Sequence, residues 1–455
     1  MRRARARFSR LVPEGAAVLS ILIFGSYLMG LLRDRIFART FGAGSELDAY
    51  NAAFVLPELL LDVLVEAGLA APFIPILMRL RTVGDGREGD QFARTILTGA
   101  VTVMGVAALA MFIFAEATTG LIAPGFSGEQ RELYLALFRV MLVTPILFAA
   151  SLTLGQVLLA EQRFFWYGIA PLLYNAGIVL GTVAFTDFGM FGPAIGAVIG
   201  ALIHLGSRFI GLRHSRFRIG FGRAFRTASF REFVRLMLPK MASHPVEPMT
   251  FLFFTSVATT LSVGSVSAIS FARNFQSVPV SLIGVAFALA VFPALSTAHA
   301  TRDRPVFLRL LRDNLVRIAL LTTAAAVGLA VVGEMAIRVL LGGGAFDAAD
   351  VALTSAVLAA FTVSIPFESL THLLSRAIYA TRHTLLQVLA SLVGLAITVL
   401  ATQFLLAELG AIAIPIGFAI GQAGKVVLLA LALVFRLRDW QLLALHSDNR
   451  TSRSH

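Results

Sequence analysis

Three carboxylates lie inside a long apolar stretch of this chain, spaced as one face of a helix. Glu58, Asp62 and Glu66 recur at every fourth residue, and residues four apart in a helix share a face. Charged groups are costly inside a bilayer and are kept there where they face a cavity or a partner. A carboxylate in such a place can bind a cation or exchange a proton. With Asp48 ahead of it, the stripe predicts a cation or proton coupling site.

Charged residues recur in three later apolar stretches, and two of these runs have helical spacing. The residues are Lys240, His244 and Glu247, then Arg273, then Glu368, His372 and Arg376. Each run occupies one face of its helix, so we expect these helices and the acidic one to converge on a shared polar cavity. The cations would attract an anionic head group there, while the carboxylates and imidazoles would serve coupling. The alternative is pairing within each helix, such as Lys240 with Glu247 or Glu368 with His372.

Prolines and glycines mark the same stretches as places where the backbone bends. A proline removes one helical hydrogen bond, which a membrane helix tolerates where other helices or cavity water satisfy the freed carbonyl. An FGAG turn precedes the acidic stretch. We predict four hinge positions for an alternating-access movement: Gly42, Gly44, Pro57 and Pro279.

The apolar stretches that carry these residues predict an all-α, polytopic membrane protein. The chain has 455 residues, of which 57% are hydrophobic and 14% charged, unlike a soluble globular protein. About twelve stretches are long enough to span a membrane, and the first is expected to be a retained span rather than a cleaved signal peptide. Their ranges are 12–32, 49–79, 93–115, 133–158, 165–186, 190–212, 236–261, 265–297, 311–333, 350–379, 384–406 and 411–436.

The chain has a net charge of +12. Most of its arginines lie at the termini and on the even-numbered connections between predicted spans. This placement predicts that both termini are cytoplasmic. Three arginines, Arg33, Arg35 and Arg39, fall on the other side and indicate a task other than topology. The segment 208–235 is basic with interleaved phenylalanines. A nucleic-acid surface is the alternative there, but its position between spans favours an interfacial segment on anionic lipid, so no nucleic-acid partner is expected.

An internal repeat predicts how the spans are arranged. A shift of 222 residues lays Gly42 over Gly264 and Pro57 over Pro279. With six spans on each side, the shift suggests two parallel six-helix lobes, an arrangement common among transporters. The predicted parts are an N-terminal lobe at 1–212, a basic cytoplasmic linker at 213–235, a C-terminal lobe at 236–437 and a cytoplasmic tail at 438–455.

The sequence lacks the residues that several kinds of chemistry require. The chain has no cysteine, so disulfides, thiolate metal sites and cysteine nucleophiles are excluded. It has no HxxxH or HxH spacing, P-loop, GxSxG turn or HExxH motif. The sequence therefore predicts neither an enzyme nor a cofactor or metal site.

The residues from Gly30 to Leu77 closely resemble the N-terminal signature of a known family. The matching positions are Gly30, Arg33 and Asp34, the FGAG turn followed by Asp48, Leu56 and Pro57, Glu66, and Phe73, Pro75 and Leu77. They are similar to the MviN/MurJ family of lipid II flippases, in the multidrug/oligosaccharidyl-lipid/polysaccharide (MOP) exporter superfamily. The resemblance implies the MOP exporter fold and a central cationic cavity. It also implies export of an undecaprenyl-pyrophosphate-linked peptidoglycan precursor across the bacterial cytoplasmic membrane, driven by membrane potential or a cation gradient.

The chain departs from the family at positively charged positions. It has Tyr27 after Ser26, Leu61 with Asp62, and Asn274 where the family carries arginines, with Arg273 one residue earlier. Members also usually continue to fourteen spans. Arginine holds pyrophosphate by bidentate hydrogen bonds that aspartate cannot make. These departures affect the expected substrate more than the expected fold.

The main hypothesis is a flippase for a polyprenyl-pyrophosphate-linked glycan such as lipid II. The expected head-group residues are Arg33, Lys240, Arg273, Asn274 and Arg376. The expected coupling residues, for a proton or monovalent cation, are Asp48, Glu58, Asp62, Glu66, His244, Glu247, Glu368 and His372. Membrane lipids are the other expected partners. Two alternatives remain: a cation-coupled exporter of small amphiphilic compounds, and a non-transporting scaffold for envelope assembly.

Overall fold

Helices of two compact units make up the fold. The computed structural model describes residues 14–83, 86–243, 246–381 and 383–451. The first unit comprises the described residues up to Val266 together with Leu341–Phe346. The second unit comprises Ser267–Leu340 and the described residues from Asp347 onward. This division into two units follows the packing of the helices against one another. The boundaries at residues 212 and 236, which come from the sequence repeat, stay predictions.

The first unit contains eleven helices among the described residues. They are α1 (Glu14–Phe41), α2 (Ser45–Leu61), α3 (Ala67–Val83), α4 (Arg87–Ile113), α5 (Ala115–Ile122), α6 (Gly128–Met141), α7 (Val143–Ala160), α8 (Phe164–Ala184), α9 (Phe191–Leu212), α10 (Ala228–Ser243) and α11 (Val246–Ala258). A π-helical turn, Asp62–Glu66, joins α2 to α3. The linker predicted at 213–235 is non-helical in its first part and becomes helical at Ala228.

The second unit contains seven further helices in the part of the chain that the structure describes. They are α12 (Ser265–Pro279), α13 (Ala286–Ala300), α14 (Arg304–Leu340), α15 (Ala348–Thr362), α16 (Ser364–Ala380), α17 (Thr384–Leu409) and α18 (Ala413–Thr451). A second π-helical turn, Val280–Val285, joins α12 to α13. Helix α18 continues past residue 437, where the C-terminal lobe was predicted to end.

Each predicted span coincides with one helix or with two consecutive helices, which confirms the all-α membrane fold. By length and hydropathy, seven helical stretches of the described residues could cross a membrane. The number becomes eight if α15 and α16, which meet at a bend of 43°, form one span. The count of twelve crossings and the cytoplasmic termini stay predictions. Residues 12 and 13, at the start of the predicted first span, lie outside the described residues.

Close packing of α8 against α9 depends on glycines that face each other. An added Cβ at Gly196 would lie 2.8 Å from the Gly177 carbonyl oxygen and 2.9 Å from Gly181 Cα. Small residues spaced four apart let membrane helices approach until their backbones touch. The glycines of α9 on this face are Gly192, Gly196 and Gly200.

A buried arginine of α9 compensates for a proline in α8. Pro171 has no N–H, so it cannot donate to the Tyr167 carbonyl four residues earlier. Arg208 donates to that carbonyl at 2.8 Å and to the Trp166 carbonyl at 2.6 Å. The arginine is only 2% exposed. These bonds position α8, whose Asn175 contacts one of the predicted head-group residues.

Candidate functional site

A buried ion pair connects α12 and α16 in the second unit. Arg273 donates from Nη1 to Glu368 Oε2 at 2.9 Å and from Nη2 to Glu368 Oε1 at 2.7 Å. The exposed fractions of the two side chains are 13% and 6%. This two-point geometry is the strongest arrangement of a guanidinium and a carboxylate. It brings together a predicted head-group residue and a predicted coupling residue.

Polar neighbours complete the coordination of this pair. Gln276 Nε2 donates to Glu368 Oε2 at 2.7 Å and to Ser364 Oγ at 3.1 Å. The Gln276 amide oxygen also accepts a bond from Arg273. The Arg273 guanidinium lies 5.3 Å from the centre of the Phe418 ring. Glu368 is therefore paired between helices.

Arg33, near the C-terminal end of α1, also holds a carboxylate. Its Nη2 lies 2.8 Å from Asp34 Oδ1, and its Nη1 donates to Asn175 Oδ1 of α8 at 3.0 Å. Asp34 is buried, whereas the Arg33 side chain keeps 28% of its surface exposed. An incoming anion could reach this guanidinium but would compete with Asp34 for it.

Asp48, one of the predicted coupling residues, accepts a hydrogen bond from a backbone group. Its Oδ2 accepts the Gly264 N–H at 2.7 Å, and Asp48 is 2% exposed. The Gly264 backbone has φ of +89°, and a Cβ there would collide with the Ala43 carbonyl oxygen. The bond joins the start of α2 to the turn that precedes α12, and both groups lie in the first unit.

A second loop of the first unit docks on the end of α1. Arg39 Nη2 donates to the Gly342 carbonyl at 3.1 Å, and Ala345 N donates to the Arg39 carbonyl at 2.9 Å. Arg39 is one of the three arginines whose placement contradicted a purely topological role. Its guanidinium fixes the glycine-rich turn that follows α14.

The acidic stripe of the second predicted span lies on a broken helix. Glu58 is exposed and Asp62 is half-buried, and the Glu66 side chain lies outside the described residues. The π-helical turn from Asp62 to Glu66 shifts the register relative to the uninterrupted helix that the spacing assumed. The coupling role of these carboxylates stays a prediction.

The remaining predicted residues are placed as follows. His372 and Arg376 are half-buried on α16, with the Arg376 guanidinium 5.8 Å from the Phe292 ring centre. Asn274 and Glu247 are exposed. The Lys240 side chain and the whole of His244 lie outside the described residues. The convergence of all the charged runs on one cavity stays a prediction.

The predicted hinges coincide with backbone irregularities that occur twice. Gly42 and Gly264, related by the shift of 222, have φ of +66° and +89°. A π-helical turn follows Pro57 by five residues and Pro279 immediately. Gly44, by contrast, has an extended backbone that other residues adopt. The correspondence supports the internal repeat, and π-helical turns are frequent at functional sites.

Sequence reasoning missed the neutral partners of the charged residues. Asn175 contacts Arg33, Gln276 contacts Arg273, and Ser364 accepts a bond from Gln276. Nothing in their local sequence distinguishes these residues from polar residues elsewhere. Gln276 had one usable signal, because it lies three residues after Arg273 and so on the same helix face. The Gly264 N–H had another, because its alignment with Gly42 marked a turn.

Comparisons with solved structures define the class of this fold. The structure of a lipid II flippase MurJ in an inward closed conformation matches with a TM-score of 0.80 and 24% identity, over 94% of this chain and 91% of that one. An inward-facing multidrug resistance MATE family transporter of the MOP superfamily matches with a TM-score of 0.77 and 16% identity, over 91% and 95%. The fold is that of the MOP transporters.

The sequence model of the lipid II flippase MurJ family matches residues 37–447, and the chain belongs to that family. The probable lipid II flippase MurJ of Thermotoga maritima is 28% identical over 416 residues, 91% of this chain and 84% of that protein. The lipid II flippase MurJ of Thermosipho africanus is 27% identical over 434 residues, 94% and 88%. The protein is thus a multi-pass protein of the bacterial cytoplasmic membrane.

Proposed function

We propose that this protein is a flippase that moves a polyprenyl-pyrophosphate-linked glycan, with lipid II as the first candidate, across the cytoplasmic membrane. The family match over residues 37–447 carries the proposal. The protein would move its substrate without chemical change, in keeping with the absence of catalytic motifs in the sequence. Its partners would be the lipid-linked glycan and the surrounding lipids.

In the proposed mechanism, the pair of Arg273 and Glu368 exchanges partners. A pyrophosphate offers oxygens with the same bidentate geometry as a carboxylate, so a head group can take over the Arg273 donors. The released Glu368 then accepts a proton or binds a cation, because an uncompensated buried charge is costly. Arg33 and Asp34, in the first unit, would allow a second exchange of the same kind.

Complementation tests the function directly. A bacterium depleted of its own lipid II flippase should grow when it produces this protein. Growth should fail with Glu368→Gln even where the variant is present in the membrane at the native level, because the coupling carboxylate is lost. Glu334→Gln is the matched control, since Glu334 also pairs with an arginine, Arg338, but on an exposed surface. Failure of the native protein to restore growth, with lipid II remaining inside, would reject lipid II as the substrate.

A second candidate is a cation-coupled exporter of small amphiphilic compounds. It is favoured by the observation that Arg33 and Arg273 both hold carboxylates, which lowers the positive charge available to a pyrophosphate. Efflux of an amphiphilic cation such as ethidium, driven by an ion gradient and lost in the deletion strain, would favour this candidate. Growth rescue without such efflux would favour the flippase.

A further inference from the structure

A basic cavity in the first unit is lined by none of the residues assigned to transport. Its volume is about 1230 Å³, somewhat above the roughly 300–1,000 Å³ typical of ligand pockets. It is lined by the end of α3, Gly86 and the start of α4, by the turn before α8, and by the chain after α9. The charged lining residues are Arg81, Arg87, Asp90, Arg94, Glu161, Arg163, Arg216, Arg218 and Arg223.

The carboxylates of this cavity are already occupied by two of its arginines. Arg81 contacts Asp90 at 2.9 Å and Glu161 at 3.1 Å, and Arg163 contacts Glu161 at 3.2 Å. Seven arginines and two carboxylates therefore line it among the described residues. The excess positive charge comes from three segments that are far apart in sequence, so the fold itself concentrates it.

Three arginines supply charge that the rest of the lining does not neutralise. Arg216, Arg218 and Arg223 are exposed, and within the described part of the chain no carboxylate lies within ion-pair distance of them. The chain that carries them is held in place by its backbone. Arg94 Nε donates to the Arg218 carbonyl at 2.6 Å, and Gly222 N donates to Thr98 Oγ1 at 2.9 Å.

We propose that this cavity is a binding site for a phosphate-bearing anion. Guanidinium groups bind phosphoryl oxygens by short, charge-assisted hydrogen bonds, and a concave basic site raises the local concentration of anions. The side that the arginine distribution predicts to be cytoplasmic offers two sources of this chemistry: soluble phosphorylated compounds and the head groups of anionic lipids. The site is independent of the proposed transport function.

Two triple variants with the same change in charge test the proposal. One replaces residues of the cavity: Arg216→Gln, Arg218→Gln and Arg223→Gln. The matched control replaces exposed arginines of the same basic region that do not line it: Arg213→Gln, Arg226→Gln and Arg231→Gln. Both sets leave the backbone bonds intact, and circular dichroism and the unfolding temperature check that both variants fold.

Calorimetric titration of the full-length protein with inorganic pyrophosphate tests the soluble source. We expect a saturable component of binding that weakens at least about tenfold in the cavity variant and less than about twofold in the control, while any component at Arg273 stays the same in both. The unfolding temperature in nanodiscs of phosphatidylcholine, with and without cardiolipin, tests the lipid source. Stabilisation by cardiolipin that disappears only in the cavity variant would assign the site to a head group.

Loss of pyrophosphate binding or of cardiolipin stabilisation in the cavity variant alone supports the proposal. The comparison between the two ligands identifies the source of the phosphate group. Equal weakening in both triple variants would overturn it, because the arginines would then act only as a diffuse positive surface. Absence of both pyrophosphate binding and cardiolipin stabilisation in the native protein would also overturn it. Lipid II transport is measured separately, by the complementation experiment.

Discussion

Arg273 and Glu368 show how this protein keeps opposite charges inside an apolar helix bundle. Each group would be costly alone, and their two-point contact offsets much of that cost only while both are present. Gln276 and Ser364 take part in the remaining hydrogen bonds. Such a pair is a poor source of stability but a good switch, because any ligand that competes for one partner exposes the other.

Breaking this pair from either side should destabilise the protein. We expect Arg273→Gln and Glu368→Gln each to lower the free energy of unfolding by about 3–5 kcal/mol, since each leaves one buried charge unmatched. The double variant should lose less than the sum, with a coupling energy of about 1–3 kcal/mol. Denaturation of the four proteins in one detergent measures this cycle, and additive losses would show that the two groups do not interact.

Asp48 should act through its hydrogen bond to the Gly264 N–H. Replacement by alanine leaves that donor without its acceptor and should cost about 1.5–3 kcal/mol. Asp48→Asn keeps an acceptor oxygen and should retain most of the stability. The unfolding temperatures of both variants measure the difference. Rescue of a flippase-depleted strain by Asp48→Asn would show that Asp48 is an anchor and not a coupling residue.

The surface pair of Arg79 and Glu232 should make stability depend on pH. The hydrogen bond from Arg79 lowers the pKa of the exposed Glu232 below its ordinary value. A lowered pKa stabilises the folded state above the unfolded-state pKa of roughly 4.3 and loses this effect at lower pH. The difference in unfolding temperature between the native protein and Glu232→Gln should therefore be constant from pH 7 to pH 5 and shrink below pH 4. A difference that grows on acidification would contradict this.

Helices α8 and α9 pack with their backbones in close contact. Their close contact depends on glycines spaced four apart, a pattern visible in the sequence as Gly192, Gly196 and Gly200. The predictions from sequence rested on the charged residues and did not include this helix contact. The π-helical turns could not have been predicted, because residue types alone do not reveal one extra residue in a helical turn.

A methyl group added at this contact should separate the two helices. Gly196→Ala should lower the free energy of unfolding by about 1–3 kcal/mol, because the added Cβ meets the backbone of α8. Gly206 lies on the same helix with open space around it. Gly206→Ala should therefore be neutral or stabilise by up to about 1 kcal/mol. Thermal unfolding of both variants provides the measurement, and equal effects would exclude close backbone contact as the cause.

Across the whole molecule, composition and periodicity predicted the class and much of the element order. Long apolar runs specify membrane helices because the bilayer leaves the backbone few other ways to satisfy its hydrogen bonds. Side-chain partners were harder to predict from the sequence, because Arg273 and Glu368, for example, are 95 residues apart in the chain. Only the fold brings them together. The family signature near the N-terminus identified what composition could not.

Transport of lipid II by the purified protein tests the central claim most directly. The protein would be reconstituted into liposomes that contain fluorescent lipid II, and a membrane-impermeant quencher would report the fraction on the outer leaflet. We predict that the native protein moves lipid II across the bilayer, that a membrane potential or proton gradient accelerates it, and that Glu368→Gln abolishes the acceleration. Liposomes in which the native protein leaves lipid II on its original side, under every gradient, would contradict the account.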